Sequence, residues 1–254
     1  MKYTFLILGI FLLSMNMTKA QTATNISAKE IIQTADAILK GTTSSQSEMM
    51  MTVVRPDWTR EMTMKSWTKG DDYAMVLLVA PARDKGTAFL KREKELWNWQ
   101  PTIERVVKMP PSMMTQSWMG SDFTNDDLVK QSSIVTDYSH TILREEMIEE
   151  RNCWVLEMIP NEEAAVIWGK IITWIDQTDY LQLKTEFYDE EDYLINTMYG
   201  SEIKELGGKI LTAKLEVIPT EEPGHKTIIE YKSITFDEPM KDDFFSMQNM
   251  KRLR

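Results

Sequence analysis

The 254-residue sequence is short of several things that most kinds of chemistry need. One cysteine, Cys153, allows no intrachain disulfide, so stability in an oxidising compartment has to come from apolar burial. Cys153 opens the apolar run 153–159 with no adjoining cation to lower its pKa, and it reads as a small core residue rather than a nucleophile. There are two histidines, His140 and His225, no Gly-x-Ser-x-Gly elbow and no phosphate-cradling glycine loop. Neither histidine has metal-ligand company at a recognised spacing: His140 falls on an expected strand, and His225 follows Pro223-Gly224 in an expected turn. We therefore expect no catalytic residues, no metal and no cofactor.

Basic charge is also scarce. The 29 bases against 39 acids give a net −10, which works against nucleic-acid binding, since that affinity comes from neutralising phosphates. Ten glycines and nine prolines are too few for a collagenous or low-complexity chain. With 43% apolar and 27% charged residues, the composition also excludes a disordered chain or a polytopic membrane protein. What is plentiful is methionine, 19 residues, and tryptophan, eight.

Lys2 precedes an apolar stretch over 3–13, then polar residues and the small-residue site Thr18-Lys19-Ala20. This is the pattern of an export signal cleaved after Ala20. Ser14 and Asn16 interrupt the stretch before the roughly 20 apolar residues that a membrane span requires. Cleavage would remove two of the 29 bases and none of the 39 acids, leaving −12 on residues 21–254. These residues are expected to form one soluble exported domain, since no proline/serine-rich linker or internal repeat divides them.

Over 27–39 the apolar residues Ile31, Ile32, Ala35, Ile38 and Leu39 share a helical face, with Ser27 and Glu30 spaced as a capping box and Gly41 as terminator. The pattern then turns strand-like over 48–55, 60–68, 73–80, 87–92, 96–100, 103–108, 140–148, 154–159, 166–176, 181–188, 193–199, 210–218 and 226–236. Short turns such as Lys69-Gly70-Asp71-Asp72 and Gly207-Gly208 separate these runs. No long helix intervenes between them, so a parallel sheet is disfavoured and an antiparallel meander curled on itself is favoured. The exception is 110–130, rich in Pro, Met and Trp, which reads as a loop entering a short helix. A second short helix is expected over 242–247, and both could lie across the mouth of the sheet.

Several strands alternate: Leu211, Ala213, Leu215 and Val217 oppose Thr212, Lys214 and Glu216, and Leu181, Leu183 and Phe187 oppose Gln182, Lys184 and Glu186. The oily face either packs as ordinary core or encloses a space. Met and Trp enrichment suits the second, because Met adapts to varied shapes and Trp builds broad apolar walls. Candidate lining residues are Met62, Met64, Val76, Leu78, Trp97, Trp99, Trp154, Leu156, Met158, Trp168 and Trp174. Met113, Met114, Trp118 and Met119 are candidates for a lid or a membrane-touching tip. Asp122, Asp126 and Asp127 suggest a metal or acid/base group, but helix capping by Thr124 with two acids in the first turn explains them better. The acidic run 189–192 reads as a hydrated turn.

The stretches 72–87 (with Ala80-Pro81-Ala82-Arg83-Asp84-Lys85-Gly86-Thr87), Leu96-Trp97-Asn98-Trp99-Gln100-Pro101, Glu104-Arg105-Val106 and above all 117–128 together resemble the LolA-like outer-membrane lipoprotein-sorting family. Weaker likeness continues through Trp174-Ile175-Asp176, Phe187-Tyr188-Asp189 and Asp243-Phe244-Phe245. The resemblance implies a mainly β fold: one strongly curved antiparallel sheet forming an incomplete β-barrel, with helices over its concave face and a hydrophobic cavity for acyl chains. It also implies a non-enzymatic periplasmic carrier of a lipoprotein or lipid, touching membranes transiently and partnered by an inner-membrane transporter and an outer-membrane acceptor. A phospholipase-like hydrolase using the same cavity is the alternative.

Overall fold

The computed structural model describes residues 26–125, 127, 134–162, 164 and 166–253. The expected export signal, Asp126 and most of the short helix expected after Thr124 lie outside these residues.

Helix α1 (Ala28–Lys40) begins as its sequence dictates: the Glu30 N–H donates to Ser27 Oγ at 3.2 Å, and the Ser27 N–H donates to Glu30 Oε2 at 2.9 Å. It ends at Gly41, whose φ of +81° and approach to the Ser44 carbonyl leave no room for a side chain.

Thirteen strands follow: β1 (Ser44–Arg55), β2 (Trp58–Lys69), β3 (Tyr73–Ala80), β4 (Ala88–Arg92), β5 (Glu95–Gln100), β6 (Arg105–Lys108), β7 (Tyr138–Ile148), β8 (Arg151–Pro160), β9 (Lys170–Asp176), β10 (Gln182–Tyr188), β11 (Leu194–Leu206), β12 (Lys209–Pro219) and β13 (Lys226–Phe236). They form one antiparallel sheet in the order β6-β5-β4-β3-β2-β1-β13-β12-β11-β10-β9-β8-β7, so β6 and β7 are its edges and the barrel is incomplete. Register shifts at Glu48/Met49, Thr63/Met64, Ile142/Arg144, Gln182/Lys184 and Phe187/Tyr188 each bend a strand.

The curl has a direct measure. Helix α1, roughly 20 Å long, touches β7 and β12, and its Lys40 pairs at 3.2 Å with Asp71 in the β2–β3 turn. On a flat sheet, β2 and β7 would stand roughly 38 Å apart at the usual strand spacing.

Ladder register separates the two faces. Met64 pairs with Met49 and Leu78, Met62 with Met51, and Phe89 with Val76, so these side chains share the inner face. Across the sheet Leu215 pairs with Ile229, Leu156 with Thr173, and Met158 with Ile171, continuing it. The shift between Gln182 and Lys184 corrects one expected alternation: Leu183 joins the outer cluster of Cys153, Val155 and Trp174, while Phe187 packs with the inner-face group.

The C-terminal segment also departs from expectation. A 3-10 turn (Asp242–Phe244) and the short helix α2 (Met247–Met250) cover the outer face, where Phe245 and Met250 pack against Met75, Leu77 and Leu90. The β3–β5 corner therefore has two oily faces, and each needs its own cover.

Candidate functional site

The segment 109–125, called the strap here, leaves β6 and crosses the inner face through two 3-10 turns, Pro111–Met113 and Trp118–Gly120. Trp118 is 3% exposed and packs edge-on against Phe89, ring centroids 5.3 Å apart. Around it lie Met51, Val53, Met62, Met64, Leu78 and Leu96, joined at the margin by Val76, Met114 and Met119. Tight positive-φ backbone at Met119 and Gly120 (φ 55° and 76°) turns the chain so that Trp118 faces inward.

Two polar anchors hold the strap. Arg55 at the end of β1 bridges to Asp122, with Nη2 to Oδ1 at 3.0 Å, and also donates to the Gly120 carbonyl at 2.8 Å. Thr227 on β13 donates to Asp122 Oδ2 at 2.6 Å and accepts from the Asp122 N–H at 2.9 Å. Farther along, Asp127 and Thr124 cap one another, and Asp127 accepts from the Trp168 indole at 3.3 Å. Burial pushes the Asp127 carboxyl above its ordinary pKa.

The remaining expected site residues are divided by the fold. Trp154, Leu156, Met158 and Trp168 lie on the inner face beneath α1, with Ile31, Ile32, Tyr138, Ile171 and Ile175. Trp97 and Trp99 sit on the outer face with the C-terminal segment, and Trp174 on the outer face with Leu181 and Leu183. Their places in the ladder require it, since Trp97 pairs with Leu90 and Trp174 with Lys184. Met113 contributes its carbonyl, which accepts from Asn125 at 2.9 Å.

Between strap and helix runs a strip of inner face made of Met49, Met198, Leu215, Ile229 and Tyr231, each half-buried. The Tyr231 hydroxyl has no hydrogen-bond partner among the described residues, and burial raises its pKa. Nearby in the ladder, Thr173, Thr185 and Gln182 bond to one another (Thr173 Oγ1 to Thr185 Oγ1, 3.0 Å), so their polarity is satisfied internally.

Sequence reading missed Met49, Met51 and Val53, because the run Met49-Met50-Met51 hides which residues alternate inward. It also passed over Arg60, which does share the alternation of Met62 and Met64. Arg60 donates to the Met119 carbonyl at 2.9 Å and to the Met62 sulfur at 2.8 Å.

The fold does bring three potential ligands together: Asp122, Glu222 and His225 have side-chain donor atoms within 4.8 Å of one another. Both Asp122 oxygens are already engaged by Arg55, so a cation there would have to displace a guanidinium. His140 Nε2 lies 2.9 Å from the Ile134 carbonyl. Two open clefts, of about 580 and 640 Å³, lie away from the inner face, beside the C-terminal segment and at the turns 149–152 and 176–179. No helix among the described residues is long and apolar enough to cross a membrane.

Comparison with solved structures gives the same architecture three times. A DUF1329 family protein from Desulfovibrio piger is 22% identical, with a TM-score of 0.79 over 88% of this chain and 97% of its own. A domain from Vibrio parahaemolyticus, provisionally named an outer membrane lipoprotein-sorting protein, is 24% identical, with a TM-score of 0.78 over 89% and 98%. A LolA superfamily protein from Nitrosomonas europaea is 21% identical, with a TM-score of 0.75 over 88% and 99%. No curated protein matches. Residues 70–252 match the model of a family whose description reads only "-like: Uncharacterized protein". The chain belongs to that family, and its open, curled antiparallel sheet is the LolA-like fold.

Proposed function

We propose that the protein is a periplasmic carrier that takes the acyl chains of a lipoprotein or lipid onto the inner face of its sheet and moves them between envelope membranes. The observation that carries this reading is the cover on that face. Apolar strands β1–β4 are closed over by a 17-residue strap, residues 109–125, instead of by another sheet or a long helix. Among the described residues, backbone pairing ties the strap to the sheet only at its start, where the Met109 N–H donates to the Leu96 carbonyl. Such a cover can leave without dismantling the ladder. Relatives of the same fold include one provisionally named for outer membrane lipoprotein sorting and one in the LolA superfamily.

Magnitudes make this transfer coherent without a catalytic group. Burying acyl CH₂ groups yields about 0.8 kcal/mol each, so a sixteen-carbon chain supplies on the order of 12 kcal/mol before ordering costs. Exposing Trp118 alone costs roughly 3 kcal/mol on the same scale, and the Arg55–Asp122 pair must part as well, so the strap leaves only as cargo arrives to fill the face in its place. The same magnitude keeps cargo from escaping into water, so unloading requires a membrane or a protein acceptor. An inner-membrane transporter and an outer-membrane acceptor are the partners this mechanism calls for. The net charge of −10 limits adhesion to anionic lipid in transit.

Native mass spectrometry of detergent-free protein from the periplasm, with displacement of a fluorescent fatty acid as a second readout, tests the carrier reading. Co-purified lipid and saturable displacement are expected. Protein that arrives empty and binds no acyl probe would overturn it.

A further inference from the structure

We propose that the Arg60 guanidinium is a head-group site on the inner face, which selects cargo whose acyl chain ends in an anion, a carboxylate or a phosphate. The inference rests on the carrier reading and specifies the polar end of what is carried.

Arg60 pairs with Val53 across the β1–β2 ladder, and its Nη2 contacts the sulfur of Met62. It therefore lies over the inner face at the rim of the group that holds Trp118. Among the described residues no carboxylate pairs with it, whereas Arg55 on the adjacent strand has Asp122. Its hydrogen-bond partners are a thioether and a backbone carbonyl, both uncharged.

One of its donors, Nε, is enclosed without an acceptor. Its Nη2 bonds the Met119 carbonyl of the strap, so departure of the strap to admit cargo also frees the guanidinium. Enclosing an N–H without an acceptor is costly, and the cost is greater on a charged group. An acceptor arriving with cargo would remove that penalty. A guanidinium favours a carboxylate or phosphate, because its planar fork matches their oxygens and its charge is not otherwise answered.

Four competitors with the same sixteen-carbon chain separate the possibilities: hexadecanoate, hexadecanol, palmitoyl lysophosphatidate and monopalmitin. Each displaces an uncharged fluorescent acyl ester from the purified protein, at two salt concentrations. The anionic members are expected to compete about tenfold to a hundredfold better than their neutral counterparts. Arg60→Gln should bring that ratio close to one; the ratio is the readout, because Arg60 also bonds the strap at Met119. Arg60→Lys, which keeps the charge but removes the planar fork, should retain only part of that ratio, and it serves as the second variant if Arg60→Gln does not fold. Carboxylate and phosphate arms of unequal strength identify which anion the site prefers. If all four compete equally in the wild type, the head-group site is wrong and the carrier reading stands. If the ester itself fails to bind, the carrier reading fails and takes the head-group site with it.

Discussion

Arg55 and Asp122, 67 residues apart in sequence, meet as an ion pair whose Nη2–Oδ1 distance is 3.0 Å. Their side chains are only 12% and 5% exposed, so water does little to screen or replace the contact. A charge pair this enclosed is a weak source of net stability when intact and a large liability when broken. Asp122→Asn leaves Arg55 half-paired and should cost about 3 kcal/mol in urea unfolding. Hydrogen exchange should also quicken selectively over 109–125. A loss below about 0.5 kcal/mol, the scale of a surface pair, would show that the strap is not held here.

Lys91 supplies a pH test of the fold. It is 6% exposed on β4, donates to the Asp71 carbonyl at 2.8 Å, and burial lowers its pKa from 10.5 to about 8. Between those two values the unfolded chain holds a proton on this lysine that the folded chain has lost, so stability rises with pH across the window. Below about 8 both states are charged and the contribution is absent. The rise should be on the order of 2–3 kcal/mol, and Lys91→Met should flatten it. Chemical denaturation at pH 7.5, 9 and 10.5 measures the slope, and equal slopes in both proteins would refute the assignment.

The sequence made the ladder legible because each turn is local and each strand carries its own alternation. All thirteen expected strands exist, with the 226–236 and 73–80 bounds unchanged. Which face a residue joins was legible only where one side of the strand is polar. On β4 four consecutive residues, Ala88 to Lys91, are buried, and on β5 Leu96, Trp97 and Asn98 are. Both sides of that corner are covered, so nothing in 96–100 alone says that Trp97 and Trp99 face outward. The strap as a unit was visible in its Met and Trp content. Its anchors were not, because Arg55 and Thr227 meet Asp122 only when β1 and β13 become neighbours.

Tyr231 distinguishes an interior that needs its hydroxyl from one that merely tolerates it. The hydroxyl has no partner among the described residues, and its pKa is raised by burial alone. Removing it leaves no acceptor or donor stranded, so Tyr231→Phe should change stability by less than about 0.5 kcal/mol. A loss above 1 kcal/mol, read from the same denaturation curves, would mean that the hydroxyl is bonded in solution.

Trp118→Ala sets stability against binding. In the empty protein the ring is 3% exposed and fills the inner face against Phe89, Met62 and Met64, so its removal should cost roughly 3–5 kcal/mol. If that face is where acyl chains go, the same ring is what cargo must displace, and its loss lowers the work of loading. Affinity for an uncharged acyl ester should therefore rise several-fold while the melting temperature falls. A filled core with no carrier role predicts the opposite coupling: a destabilised protein that binds the ester no better, or binds it only as it unfolds. Measuring both quantities on the same preparation, well below the melting transition, decides between them.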